Sequence, residues 1–155
     1  MSKYREIVGD LWVVPADWRT ITTNGFTTRY GRAVMGRGVA YQAKCLHPEL
    51  PALLGLKLER EGNVPHVFEA YRLVTLPVKP RFGPGNQPGF LAPAEPELIR
   101  ESLLRLVQLP LDGTIVLPRP GCGAGRLSWD AVRPICDEIL TDDRFVIVHQ
   151  DDGDE

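Results

Sequence analysis

The chain has 155 residues, enough for one well-buried core and too few for two ordinary domains. Hydrophobic residues make up 43% of it and charged residues 25%, which excludes the polar, highly charged profile of a disordered chain. Four of the 20 acidic residues (Asp151, Asp152, Asp154 and Glu155) lie in the last five positions, leaving 16 against 18 scattered basic residues, a mildly basic body with no Lys/Arg run and no nucleic-acid signature of its own.

The three cysteines, Cys45, Cys122 and Cys136, form no CxxC pair, and their odd number suits reduced thiols and a cytoplasmic setting. No apolar run approaches the roughly 18 residues of a membrane span, so neither an anchor nor a membrane partner is expected.

In chain order, Ile7 to Val14 reads as an early strand interrupted at Gly9, and Trp18 to Thr23 as a second that ends at Asn24-Gly25. From Gly38 the spacing of Val39, Ala43 and Leu46 is helical. Pro48 and Pro51 break that pattern before a second apolar helical segment around Leu53 to Leu58, which Gly62 closes. Val67 to Val78, bounded by Pro65 and Pro80 and rich in β-branched and aromatic residues, reads as one strand. The stretch from Pro80 to Pro93 has too many prolines and glycines for a regular ladder and is expected to be a long surface loop.

Pro96 and Glu97 suit a helix start, with Ile99, Leu103 and Leu106 on one face, and Thr114 to Leu117 follows as a short central strand. Ser128 is placed to cap a last helix carrying Val132, Ile135, Cys136, Ile139 and Leu140, bent or begun late because of Pro134. Phe145 to Val148 closes the sheet and the acidic tail, residues 151–155, is expected to fray. Strands alternating with helices predict an α/β domain over residues 1–150, with helices on both faces and a ligand beyond the carboxyl ends of the strands.

Two glycine-rich segments fall at that edge. The first runs from Asn24-Gly25 to Gly31-Arg32-Ala33-Val34-Met35-Gly36-Arg37-Gly38-Val39-Ala40 and enters a helix whose free N–H groups suit a phosphate; the alternative is tight packing. The second, Pro118-Arg119-Pro120-Gly121-Cys122-Gly123-Ala124-Gly125-Arg126, also leaves a strand and enters a helix, and the pair suits a diphosphate. Neither contains Gly-Lys-Ser/Thr, and Tyr41 stands where a dinucleotide fingerprint wants its third glycine, so nucleotide hydrolysis and hydride transfer are not expected. His47, His66 and His149 lack metal-ligand spacing, and no metal or cofactor is expected.

These segments resemble the macrodomains, which bind ADP-ribose. The likeness spans nearly the whole chain: Val8-Gly9-Asp10-Leu11, TTNG, VMGRGVAYQAK, LPRPGCGAGRLSW and the terminal strand. It is nearest to the branch that holds the terminal ADP-ribose protein glycohydrolase and the antitoxins that reverse ADP-ribosylation of DNA. The resemblance implies a three-layer α/β/α macrodomain around a mixed sheet, over residues 1–150. It implies ADP-ribose as ligand and hydrolysis of ADP-ribosyl linkages on nucleic acid or protein, with an ADP-ribosyltransferase toxin as a partner system and a monomer favoured. A non-catalytic reader and an ADP-ribose 1″-phosphate phosphatase are the competing readings.

Carried over by residue, the resemblance gives Asp10 to the adenine amino group, with Leu11 beside it; a turn aspartate is the alternative. Asn24 would orient the distal ribose, or else form an Asn-Gly turn. Gly36, Arg37, Gly38 and Val39 would line one side of the diphosphate. Pro118, Gly121, Cys122, Gly123, Ala124, Gly125 and Arg126 would line the other, Cys122 through its backbone N–H. Lys79 matches a lysine that does chemistry at C1″, its pKa lowered by burial or by Arg81; a solvated strand-end lysine is the alternative. Gly125 departs from the protein-directed glycohydrolase, which has an aspartate there, and agrees with the DNA-directed relatives. Phe82 or Phe90 would cover the ribose. His149 or Gln150 would lie near the adenine, or be plain strand-end polar residues. Trp12, Trp18 and Trp129 are expected to pack, Trp129 against the second loop.

Overall fold

The computed structural model describes residues 4–150; the acidic tail lies outside the described residues. Six strands form one mixed sheet in the order β1 (Arg5–Val8), β6 (Phe145–His149), β5 (Ile115–Leu117), β2 (Trp18–Asn24), β4 (Leu73–Lys79), β3 (Val67–Phe68). All neighbours are parallel except β3, which runs antiparallel to β4 at the edge. Helices α1 (Gly38–Leu46) and α2 (Leu50–Glu61) cover one face, and α3 (Pro96–Leu106) and α4 (Trp129–Ile139) the other.

Side chains on a strand alternate between faces, and this period of two builds both cores. Val74, Leu76 and Val78 of β4, Ile115 and Leu117 of β5, and Phe145 and Ile147 of β6 pack with Ile99, Leu103, Val132 and Ile135 of α3 and α4. The intervening positions turn the other way. Leu73 and Ile21 meet Leu50, Leu54 and Leu58 of α2, while Val116, Val146 and Val148 enclose Leu11. Such strands are apolar on both faces, as parallel sheets covered on each side require.

The expected early strand is half as long as its apolar pattern. After Gly9 the Asp10 carboxylate accepts the Trp12 N–H at 2.8 Å and the Asp10 carbonyl accepts from Val13 and Val14, so the chain turns and leaves Val13 exposed. Val67 to Val78 is two strands, not one. Glu69–Tyr71 forms a 3-10 turn, Arg72 takes a left-handed φ of 54°, and its guanidinium lies 4.8 Å from the centre of the Trp18 ring. The Pro80 to Pro93 stretch contains two short 3-10 turns, Pro84–Asn86 and Gly89–Leu91. Helix α4 starts after Ser128, whose side chain accepts from Ala131, and runs through Pro134. That proline sits on the exposed face, where the carbonyl it cannot pair reaches water.

His66 joins α2 to β4. Its ring is 3% exposed and Nε2 lies 2.9 Å from the Gly62 carbonyl, so the neutral tautomer carrying the Nε2 proton satisfies both. Burial pushes its pKa below the usual 6.5, against the smaller opposing effects of the Gly62 carbonyl and Glu61. The unfolded chain therefore takes up this proton first as pH falls, and stability present above the unfolded value is lost as pH drops through the lower folded value. His66→Gln should flatten the fall of Tm between pH 7 and 5, and lower Tm at pH 7 by the loss of a hydrogen bond of about 1 kcal/mol. An unchanged slope in thermal melts would remove His66 as its cause.

Candidate functional site

Because five strands are parallel, their carboxyl ends share one edge of the sheet. The chain leaving β2 goes to the α1 face and the chain leaving β5 to the α4 face, and the divergence opens a crevice between them. A cavity of about 590 Å³ occupies it. Asn24 and Lys79 are register partners on adjacent strands at its floor. Gly36, Arg37, Gly38 and Val39 form one wall, and Pro118, Gly121, Gly123, Ala124, Gly125 and Arg126 the other. The two glycine-rich segments thus face each other across one cavity.

Each wall presents backbone donors. Arg37 caps α1 in extended conformation without a side-chain hydrogen bond, so the first-turn N–H groups of α1 point out of the helix, with no acidic residue in that turn. In the second loop the N–H groups of Cys122, Arg126 and Leu127 close the loop internally onto Arg119, Gly123 and Gly121. Those of Gly123, Ala124 and Gly125 donate to no backbone carbonyl among the described residues. These three and the Gly121 N–H, which likewise has no backbone acceptor among the described residues, are the candidate donors to a ligand, whereas the expectation had named Cys122.

Among the described residues, four cations line the cavity, Arg37, Lys79, Arg119 and Arg126, and no carboxylate does. Arg119 reaches Glu6 at 3.6 Å and His149 Nε2 at 3.3 Å, and its guanidinium lies 4.9 Å from the centre of the Trp129 ring, which braces the start of the second loop. Lys79 is 8% exposed and donates from Nζ to the Phe90 carbonyl at 3.2 Å. Its pKa lies below the ordinary 10.5, first through burial and then through Arg126 and Arg37. Arg81 is not among the causes; its guanidinium lies over the Phe82 ring at 5.6 Å.

Asn24 does two things at once. Its Oδ1 accepts the Phe26 N–H at 2.9 Å, an Asx turn, and its Nδ2 donates to the Val34 carbonyl at 3.0 Å, tying the ends of the first loop together while the residue lines the cavity. Asp10, Leu11 and Cys122 lie outside the lining. Asp10 is occupied with its turn, Leu11 is in the core, and burial lifts the Cys122 thiol to about 11, which leaves it protonated at neutral pH. His149 and Gln150 also lie outside the lining. So does Phe82, although it meets Phe26 edge-on, and Phe26 meets the lining residue Phe90. Thr22, Thr23, Val78 and Leu91 line the cavity without having been singled out, and Val34, Ala40 and Arg119 do so from within the two glycine-rich segments without having been given a role. For Thr22, Thr23 and Val78 a signal existed: each lies in the last residues of a parallel strand.

No family model matches the chain, and neither does any curated protein. Solved structures do. The macrodomain of Mycobacterium tuberculosis DarG superposes with a TM-score of 0.71 at 19% identity, over 97% of this chain and 100% of that one. The macrodomain of Thermus aquaticus DarG gives 0.71 at 24% identity with the same coverage. Thermosipho africanus DarTG in complex with ADP-ribose gives 0.72 at 17% identity, over 97% of this chain and 43% of that one.

Proposed function

We propose that this chain, whose fold is that of the macrodomains, binds ADP-ribose in the cavity between its two glycine-rich loops and hydrolyses ADP-ribosyl linkages on nucleic acid or protein. The observation that carries the reading is a single cavity with backbone donors on two opposing walls and, among the described residues, four lining cations and no acid, which suits a diphosphate. The Thermosipho structure, described as a complex with ADP-ribose, supports the same ligand. The diphosphate lies between Gly36–Val39 and Gly121–Arg126. Adenosine extends toward the ends of β6 and β1, where Asp10, Leu11 and His149 stand, and the distal ribose extends toward Asn24 and Lys79.

At that end the amine of Lys79, once neutral, attacks C1″ as the bond from C1″ to the leaving group breaks, and water later releases the sugar. Only the deprotonated amine has the electron pair, so turnover rises with pH and levels off above the lowered Lys79 pKa, at a midpoint below 10.5. A transferase that installs the modification is the corresponding partner. A second reading, a non-catalytic reader, is favoured by the lack, among the described residues, of a lining carboxylate to act as general acid.

Calorimetry with ADP-ribose, together with release assays on ADP-ribosylated single-stranded DNA and on ADP-ribosylated protein, tests the proposal. Micromolar-range binding with release from either substrate is expected. Binding without release would favour the reader, and no heat of binding would end the proposal.

A further inference from the structure

The segment 80–93 is not used by the function proposed above, yet it is fastened to the reacting end of the cavity. Lys79 Nζ donates to the Phe90 carbonyl at 3.2 Å, and Arg126 Nη2 donates to the next carbonyl, that of Leu91, at 3.1 Å. One 3-10 turn, Gly89–Leu91, thus holds two of the four cations through consecutive carbonyls. The turn is locked to the chain that follows Lys79: the Gly89 N–H donates to the Arg81 carbonyl at 2.8 Å, and a Cβ at position 89 would lie 1.7 Å from the Pro80 oxygen. Arg126 itself has a left-handed φ of 68°, a conformation that costs a non-glycine residue energy and persists where surrounding contacts impose it.

We propose that the Gly89–Leu91 turn is the positioning element of this centre, its carbonyls fixing Lys79 and Arg126 toward one cavity in the place where a carboxylate counter-ion would otherwise stand. The proposal rests on reading Lys79 as the reacting amine. A carbonyl orients an ammonium through its dipole but carries no net charge, so Arg126 keeps its full charge for an anionic ligand. A carboxylate would orient Lys79 equally well, but it would also hold the proton on the amine. The turn does the first with much less of the second, since a dipole holds the proton more weakly than a full charge, which suits a residue that must be both fixed in place and able to lose its proton.

The test follows the amine directly. The chain has four lysines, Lys3, Lys44, Lys57 and Lys79, so reductive ¹³C-methylation gives few NMR signals, and Lys79→Arg identifies the one that matters. Titrations and pH–rate profiles are compared for the wild type, Gly89→Ala, Leu91→Glu and the loop-tip control Asn86→Gly, which fits an exposed position of φ 62°. In Gly89→Ala the turn must shift. The Lys79 midpoint should move from its wild-type value, and turnover should fall about tenfold or more, by a larger factor than ADP-ribose affinity, which weakens as Arg126 loses its carbonyl. Leu91→Glu places a carboxylate beside the two cations and should move both the Lys79 midpoint and the rate profile to higher pH; Asn86→Gly should move neither.

A Lys79 midpoint unchanged in both Gly89→Ala and Leu91→Glu overturns the proposal, as does an equal shift in Asn86→Gly. If Gly89→Ala fails to fold, the Leu91→Glu midpoint decides alone. A wild-type chain that releases no ADP-ribose defeats the hydrolase reading instead, and the NMR midpoints still decide whether the turn governs Lys79.

Discussion

Lys79→Ala should retain ADP-ribose affinity within about threefold and lose hydrolysis of the glycosidic link by a factor of at least about a hundred. The asymmetry follows from position. Lys79 ends β4 beside Asn24, at the end of the cavity proposed for the distal ribose, whereas the proposed diphosphate position has Arg37, Arg126 and two sets of backbone N–H groups between the glycine-rich walls. Removing one cation of four should cost little binding; removing the group proposed to form the bond to C1″ should cost the reaction. Equal release by the variant and the wild type would take Lys79 out of the mechanism, and equal loss of binding and turnover would make it a binding residue only.

The same site predicts an opposite effect on stability. An 8%-exposed ammonium whose charged neighbours are Arg126 and Arg37 is a charge the fold would rather not hold, which is what its lowered pKa expresses. Between that value and 10.5 the unfolded chain binds the proton and the folded chain does not. Stability therefore rises with pH across this window, and the penalty is complete below the folded-state value. Lys79→Met, which keeps the length and removes the charge, should be more stable than the wild type at pH 7 by about 0.5–2 kcal/mol, read as a raised Tm, while inactive. A lowered Tm would show that the ammonium contributes to the fold.

The strongly periodic elements were legible in the sequence. Ile99, Leu103 and Leu106 placed α3, and Val132, Ile135, Cys136 and Ile139 placed α4, because an apolar stripe at helical spacing has few other uses. Where the reading failed, a local polar contact or a backbone conformation overrode an apolar pattern. The Asp10 carboxylate turned the chain that Val13 and Val14 would have continued as a strand, and Arg72 in the left-handed region divided Val67 to Val78. At the site, glycines named both walls, and Asn24 and Lys79 were named by the resemblance to the macrodomains. The groups that act on Lys79 escaped, because Arg126, Arg37 and the Phe90 carbonyl reach it only through the tertiary fold, whereas Arg81, its neighbour in sequence, turns away onto Phe82. Sequence proximity is a poor guide to electrostatic proximity at a sheet edge where three loops converge.

Substitutions at Gly123 and Gly125, two residues apart on the second loop, should fail in different ways. A Cβ at Gly125 would lie 2.5 Å from the Gly121 oxygen and 2.7 Å from the Ala94 Cβ, and the Gly125 carbonyl accepts the Ala94 N–H at 3.0 Å. Backbone holds the position on two sides, so no flexible side chain is available to yield. Gly125→Asp, which would supply the carboxylate of the protein-directed glycohydrolase, should destabilise the fold by about 1–3 kcal/mol and abolish ADP-ribose binding. It should not confer a new activity. Gly123 has no atom within 4 Å of its Cβ position and is exposed where it lines the cavity, so Gly123→Glu should leave Tm within the scatter of a surface change, about 0.5 kcal/mol. Its carboxylate nevertheless enters the space assigned to the diphosphate, and like-charge repulsion there should weaken ADP-ribose by about a hundredfold or more. Thermal melts and calorimetry on the two variants separate architecture from recognition. Unchanged affinity in a fully folded Gly123→Glu chain would mean that the diphosphate does not lie between these walls. A stable, ligand-binding Gly125→Asp chain would mean that glycine at this position is a matter of chemistry, since space would then be available for a side chain.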